Sequence, residues 1–367
     1  MICSLWKNIG VFSGLSINKQ IQGMKNKLNF KIIFSLIILS FVFNSNAQDY
    51  KFSQFYNSPL NLNPAFTGKI NSLYRFVANY RVQYLPLQSP SPFNTLSASA
   101  DFGILRDKLQ GDIFGVGVVF TNDRQTAIRS NICMVSVAYH KSLGKEKNHY
   151  LSVGAQAGFI QRSVDLGNLA FASQFTGTGF DLSLNNQENF AGDRYFKPNL
   201  NLGLFWSSNF NKMLGAYAGA SVFNIIKPKD SFFKSDNERA MRFNAHAGMF
   251  IDIKRVVLIS PNGMYMFQAK AQQWIAGSSF SFNLSGKSEP YRTAISTGVW
   301  YDGNGAIIAS TGFSFSGLQI GISYDATIKK DLSQAVKSFG ALEASIIYTG
   351  KPLDKKKAYS PLLCPKF

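Results

Sequence analysis

The chain has 367 residues, of which 46% are hydrophobic, 14% aromatic and only 16% charged; a disordered chain needs the opposite balance and is excluded. Lys plus Arg exceed Asp plus Glu by 38 to 20, a formal charge of +18, but the excess is spread along the sequence rather than gathered in one arm, so no nucleic-acid partner is expected. Cys3, Cys133 and Cys364 are too few and too scattered for a disulfide framework or a clustered metal site.

From Met24 the sequence reads as an export leader. Lys25, Lys27 and Lys31 lead into an apolar run from Ile32 to Phe43, and Ser45 and Ala47 flank Asn46 before Gln48. This is the three-part order of a signal peptide, with a core too short to span a bilayer. Residues 1–23 lie upstream of that complete signal and are read as a misassigned start, residues 24–47 as the signal peptide. The mature chain is expected to begin near Gln48 and to work outside the cytoplasm. Residues 48–72, aromatic and carrying Pro59 and Pro64, form a periplasmic N-terminal segment ahead of the first strand.

Strict two-residue alternation follows. From Tyr74 to Tyr84 one face carries Tyr74, Phe76, Ala78, Tyr80, Val82 and Tyr84, the other Arg75, Val77, Asn79, Arg81 and Gln83. The pattern recurs from Leu96 to Phe102, Phe114 to Phe120, Cys133 to Tyr139 and Leu151 to Phe159. Period two with one apolar face means strands. They run to about 9–11 residues, the length a tilted strand needs to cross a bilayer, and their second face is rich in Gly, Ser, Asn, Gln and Arg, as suits a wet lumen. No stretch beyond the leader is long and apolar enough for a transmembrane helix. Hydrocarbon tolerates no unpaired backbone group, so the strands must close on one another. The fold predicted is an all-β, transmembrane outer-membrane β-barrel.

Fourteen antiparallel strands are predicted, near 73–84, 95–102, 112–121, 132–140, 150–160, 199–206, 214–223, 241–251, 256–268, 273–282, 291–301, 305–315, 318–324 and 339–348. The barrel thus spans 73–348. An even count puts both termini in the periplasm and leaves 349–367, with Lys355, Lys356 and Lys357, as a basic C-terminal tail. Pro261 makes the ninth strand the weakest, since proline cannot donate to a ladder. Connections after odd strands are the longer ones, chiefly 161–198 and 224–240, and are expected to face the cell exterior. On these faces Tyr80→Arg should block assembly, whereas Asn79→Arg should be tolerated.

No catalytic, cofactor-binding or metal-ligating constellation is found. His140, His149 and His246 form no metal-binding pair, and Gly321-Ile322-Ser323-Tyr324-Asp325 lacks the last glycine of a nucleophile elbow. The inward parity instead yields lumen-facing candidates: Arg75, Asn79, Arg81, Asp101, Arg242, His246, Arg292 and Glu343. His246 is read as a wet histidine, and Glu343 as the partner of a lumen arginine such as Arg75. An open pore with these arginines would favour anions.

The stretch Gln54-Phe55-Tyr56-Asn57-Ser58-Pro59-Leu60-Asn61-Leu62-Asn63-Pro64-Ala65-Phe66-Thr67-Gly68 resembles the opening of the PorP/SprF family of Bacteroidota outer-membrane proteins. Tyr217-Ala218-Gly219-Ala220-Ser221, His246-Ala247-Gly248, Gly298-Val299-Trp300-Tyr301 and Gly340-Ala341-Leu342-Glu343 extend the resemblance in order along the chain. It implies a non-enzymatic component of the type IX secretion system, assisting secretion or surface attachment of adhesins linked to gliding motility. The partners implied are outer-membrane lipid, the periplasmic ring of the secretion machine and secreted surface adhesins. The family-motif residues Asn63, Pro64, Ala65, Phe66 and Gly68 are assigned to a segment that plugs the lumen, docks a periplasmic partner, or is merely packed as a linker. A passive porin or hydrophobic-solute channel, and an outer-membrane enzyme, are the competing readings of the residues.

Overall fold

The structure is a computed structural model that describes residues 49–84, 93–105, 111–144, 148–165, 169–187, 192–227, 232, 238–286, 291–329 and 339–350. The upstream stretch 1–23, the leader 24–47 and Lys355, Lys356 and Lys357 of the tail lie outside the described residues.

Fourteen strands among these residues close into one antiparallel barrel. They are β1 (Tyr74–Gln83), β2 (Phe93–Ile104), β3 (Ile113–Gln125), β4 (Ile128–Leu143), β5 (His149–Val164), β6 (Arg194–Asn209), β7 (Leu214–Phe223), β8 (Arg242–Ile253), β9 (Val257–Gln268), β10 (Ala271–Asn283), β11 (Thr293–Asp302), β12 (Ala306–Phe315), β13 (Leu318–Thr327) and β14 (Phe339–Thr349). Each pairs with its sequence neighbours, and β1 closes on β14 from Arg75 opposite Thr349 to Gln83 opposite Ala341. No strand is left with an open edge, the condition that a spanning sheet must meet.

The period-two pattern sets the faces. On β1 Phe76 and Tyr80 are exposed outward while Val77, Asn79 and Arg81 are buried inward. Outward rows such as Leu96 and Phe102, Val118 and Phe120, Val135 and Val137, and Ile320 and Ile322 form an apolar exterior, which is stable only against lipid.

Several strand boundaries move from the expected ones, most of all on β3 to β6. The ladder of β3 and β4 continues to a turn of only Thr126 and Ala127, and β6 starts at Arg194, so that the connection after β5 spans 165–193. The apolar alternation stops early there because the outward residues are Asn122, Arg124, Arg129 and Asn131, while backbone pairing carries on beneath them. Pro261 does sit inside β9: the β8–β9 ladder skips Ser260 and Pro261, and pairing with β10 is unbroken through Ser278. Connections 165–193 and 224–241 remain the long ones, against 210–213, 254–256 and 316–317 after even strands.

Candidate functional site in the barrel lumen

Residues 49–73 do not hang below the barrel; they run through it. Three short helical turns, Phe55–Asn57, Pro59–Leu62 and Pro64–Phe66, fold this stretch compactly, with the two prolines at first helical positions where no N–H is missed. The path is read from its contacts. Asp49 meets Asn224 and Gln268, at the ends of β7 and β9, and Lys51 pairs with Asp302, at the end of β11. Midway, Asn57 donates to Ser345 and Asn61 to Ser97. Thr67 reaches Ser136 and His140, Gly68 reaches Asp101, and Leu73 O bonds Gly103 N, all toward the mouth where β1 begins. Residue 49 therefore lies at the mouth bearing the long connections, and Gly350, bonded to Tyr74 O, at the opposite one. Both ends of the described chain were expected on one side, and threading of the segment separates them.

Charged lumen residues clamp this segment at two heights. Near the long-connection mouth Arg81 binds Asp325 at 2.8 Å and Glu343 at 3.2 Å, and also donates to Ser53 Oγ. Glu343 accepts from the backbone N–H of Ser53 at 2.7 Å and of Gln54 at 3.0 Å, and Ser53 Oγ donates to Asp325 at 2.6 Å. At the other mouth Arg75 holds Asp101 through two bonds of 2.9 Å and donates to Phe66 O at 3.2 Å, while Asp101 accepts from Gly68 N at 2.7 Å. The partner of Glu343 is thus Arg81, three turns of alternation away from Arg75, because β1 and β14 pair with Arg81 opposite Glu343. A buried carboxylate needs both a cation and further donors, and the segment's own N–H groups supply those donors. Asn79 is buried as well, donating to Asn57 O at 3.3 Å.

Of the family-motif residues, Asn63 to Phe66 lie between the two clamps and Gly68 at the second. Asn63 Oδ1 accepts from Ala65 N at 2.8 Å, closing a capped turn, and its amide nitrogen donates to Leu204 O at 2.9 Å and to Ala220 O at 3.2 Å. It also lies 3.1 Å from His246 Nε2, so that nitrogen must be the acceptor. Phe66 packs 4.5 Å from the Phe205 ring and stacks on His246 at 5.2 Å. His246 is consequently buried and dry, which corrects the expectation of a wet histidine. Ala65 and Pro64 fit because the wall recedes: a Cβ on Gly154 would come within 2.5 Å of both. Gly68 is held at φ +72, and a side chain there would strike Gly115 Cα at 2.5 Å.

One part of the lining is apolar. Phe250, Leu258, Met264, Ile275, Trp300 and Ile308 form one buried cluster with Phe55, Tyr56, Leu62 and Phe66 of the segment. Tyr56 stacks on Trp300 at 4.9 Å, and Trp300 Nε1 donates to Asn262 at 2.9 Å. The expected wet lumen is therefore replaced on this side by a hydrophobic core, which the aromatic segment completes.

Of the other candidates, Arg242 faces inward at the mouth, 3.7 Å from Asp49 and over the Phe223 ring. Arg292 does not join the set: it lies one residue before β11, exposed beside Ser316, since inward parity has no meaning once the strand has ended. Sequence reasoning missed Lys51, Asp302, Asp325, Thr67 and Lys69. Asp302 and Asp325 have inward parity near strand ends, a usable signal; Lys69, buried over the Tyr150 ring at 4.3 Å, has none. Burial alone would raise the Asp49 carboxyl, but Arg239 and Arg242 outweigh it and hold the value at about 2. Among the described residues no three His, Cys, Asp or Glu side chains converge as a metal site would require.

No curated protein matches the chain. Among solved structures the barrel is similar to the toluene transporter TbuX of Ralstonia pickettii, with a TM-score of 0.49 and 10% identity over 81% of this chain and 94% of that one. It is also similar to the toluene transporter TodX of Pseudomonas putida, with a TM-score of 0.45 and 8% identity over 82% and 93%. A FadL homologue of Pseudomonas aeruginosa gives 0.40 and 10% over 78% and 92%. The family described as type IX secretion system membrane protein PorP/SprF matches residues 44–348. With an apolar exterior around a closed antiparallel sheet and a family match over most of its length, the chain is an outer-membrane β-barrel belonging to the PorP/SprF family of type IX secretion system membrane proteins.

Proposed function

We propose that this protein is a non-conducting, non-enzymatic station of the type IX secretion system that assists secretion or surface attachment of adhesins linked to gliding motility. Its long connections 165–193 and 224–241 face the cell exterior, where a secreted adhesin is held, and its opposite mouth faces the periplasmic ring of the machine. The observation that carries this reading is the occupied lumen. A solute channel needs a continuous path, and here the centre is taken by a segment hydrogen-bonded to buried ion pairs of the wall and packed into an aromatic core. Such a barrel serves as a platform rather than a pore.

A deletion strain tests the proposal. Surface immunolabelling should show loss of adhesin from the cell surface, with uptake of small solutes unchanged. Retention of surface adhesin together with a fall in solute uptake would overturn the proposal in favour of a channel.

A further inference from the structure

The outward faces of β3 to β6 carry a patch that neither the lumen nor the secretion role uses. Arg124 on β3 stands directly opposite Arg129 on β4, Arg129 opposite Ser163 on β5, and Ser163 opposite Arg194 on β6. All four have the outward parity of Phe120, Val135, Phe159 and Phe196. One step inward runs a second row, Asn122, Asn131 and Gln161, linked side chain to side chain by bonds of 2.5 Å and 3.4 Å. A further step inward the surface turns apolar, with Phe120, Cys133 and Phe159 in register.

This arrangement is costly as it stands. Opposed side chains on one face of an antiparallel pair have Cβ atoms about 5 Å apart, and like charges there destabilise the sheet. Asp123, between the two outward rows in sequence, points inward to Thr95 and Gln125. Asp165 and Asp193 belong to the connection beyond, where their backbones bond Ala127 and Val164. Among the described residues none of Arg124, Arg129 and Arg194 has a carboxylate partner. An anion lying across the row would relieve the repulsion and meet guanidinium forks suited to phosphate.

The height of the row selects the anion. On β3 it lies four residues beyond Phe120, which at about 3.3 Å per residue and a strand tilt near 40° is about 10 Å, and on β6 Arg194 lies two residues beyond the exposed Phe196, about 5 Å past the apolar surface. That is headgroup depth, on the lipid side of the wall. The neighbouring amides Asn122, Asn131 and Gln161 add donors and acceptors suited to sugar hydroxyls. We infer that the Arg124–Arg129–Arg194 row, with its amide ladder, is a binding site for the phosphorylated sugar headgroup of lipopolysaccharide in the outer leaflet. The leaflet assignment rests on the proposed orientation, with long connections outside.

Native mass spectrometry of the full barrel in detergent tests the site, with three probes: lipopolysaccharide, the same lipopolysaccharide after phosphatase treatment, and phosphatidylglycerol. Wild type should retain lipopolysaccharide at least 10-fold better than an Arg124→Gln, Arg129→Gln, Arg194→Gln variant whose heat-modifiable gel shift shows that it is folded. Phosphatase treatment should cost wild type the same factor, and phosphatidylglycerol should not distinguish the two proteins. Equal retention by wild type and variant, indifference to phosphatase, or the same arginine dependence with phosphatidylglycerol would each overturn the inference. Orientation is read separately, by labelling Thr126→Cys on intact cells in a Cys133→Ser, Cys364→Ser background. Labelling supports the outer leaflet; absence of labelling overturns the leaflet assignment, whatever binding is seen in detergent.

Discussion

At the residue scale, Arg81 shows how the segment and the wall depend on each other. One guanidinium serves Asp325 and Glu343, and both acids also accept from Ser53. Removing the cation alone leaves two carboxylates buried side by side, and breaking such a set costs about 3–5 kcal/mol. Arg81→Met is therefore expected to lower the urea midpoint of the refolded barrel markedly. The triple variant Arg81→Met, Asp325→Asn, Glu343→Gln should recover most of the loss, because no charge is then orphaned. A triple variant no more stable than Arg81→Met would mean that shape rather than charge dominates there. Asp49 gives a pH-dependent counterpart. Its carboxyl is held near 2 against an ordinary 3.8, so the stability it contributes is complete above pH 4 and is lost as pH falls toward 2. The difference in urea midpoint between wild type and Asp49→Asn should follow that course, corresponding to about 2 kcal/mol at pH 6 and fading by pH 2.

The inward set Arg75, Arg81, Asp101 and Glu343 was legible from parity alone, since period two fixes which side of the wall a residue takes. Which acid meets which arginine was not, because pairing depends on the β1–β14 register, and register is set by closure rather than by either strand. His246 illustrates the same limit: its inward position is written in the alternation, but its burial comes from Asn63 and Phe66, residues 183 and 180 positions away in the chain.

At the element scale, the fourteen strands were legible because lipid enforces a uniform rule on their outer face. The exceptions occur where that rule lapses. Strands β3 to β6 extend past the apolar band, so their outward residues turn polar while the ladder continues. The inner face obeys no such rule, because whatever fills the lumen dictates its chemistry. Asn79 makes the point testable. On sequence grounds an arginine there would be tolerated, yet Asn79 is 2% exposed and bonded to Asn57 O. Both Tyr80→Arg and Asn79→Arg are now expected to impair folding, by different routes. Tyr80→Arg puts a charge against hydrocarbon, at about 2–4 kcal/mol, and should block membrane assembly. Asn79→Arg should still assemble, but with residues 49–70 displaced and cleavable by added trypsin at Lys51 or Lys69. Trypsin resistance of Asn79→Arg equal to that of wild type would contradict tight seating of the segment.

At the scale of the whole molecule, the segment gives the barrel what a wide closed sheet lacks, a core. A barrel of this strand number encloses more space than its own side chains fill, and here residues 49–73 occupy it from mouth to mouth. The consequence is a chain whose described ends lie on opposite sides of the membrane, one at the long connections and one beside the start of β1. Sequence alone set the segment ahead of the first strand and left a plug, a periplasmic dock and a packed linker open, since nothing local decides among them for a stretch of turns and prolines. Complementary glycines such as Gly115, Gly154 and Gly203, whose missing side chains leave room for Thr67, Pro64 and Asn63, mark it in the wall.

The claim on which the rest depends is that this lumen is closed by the protein's own N-terminal segment, and planar-bilayer recording addresses it directly. Wild type should show no steady conductance, and a variant lacking residues 49–70 but still folded by heat-modifiable migration should open stable channels. Steady single-channel currents from wild type, unchanged by the deletion, would contradict the account.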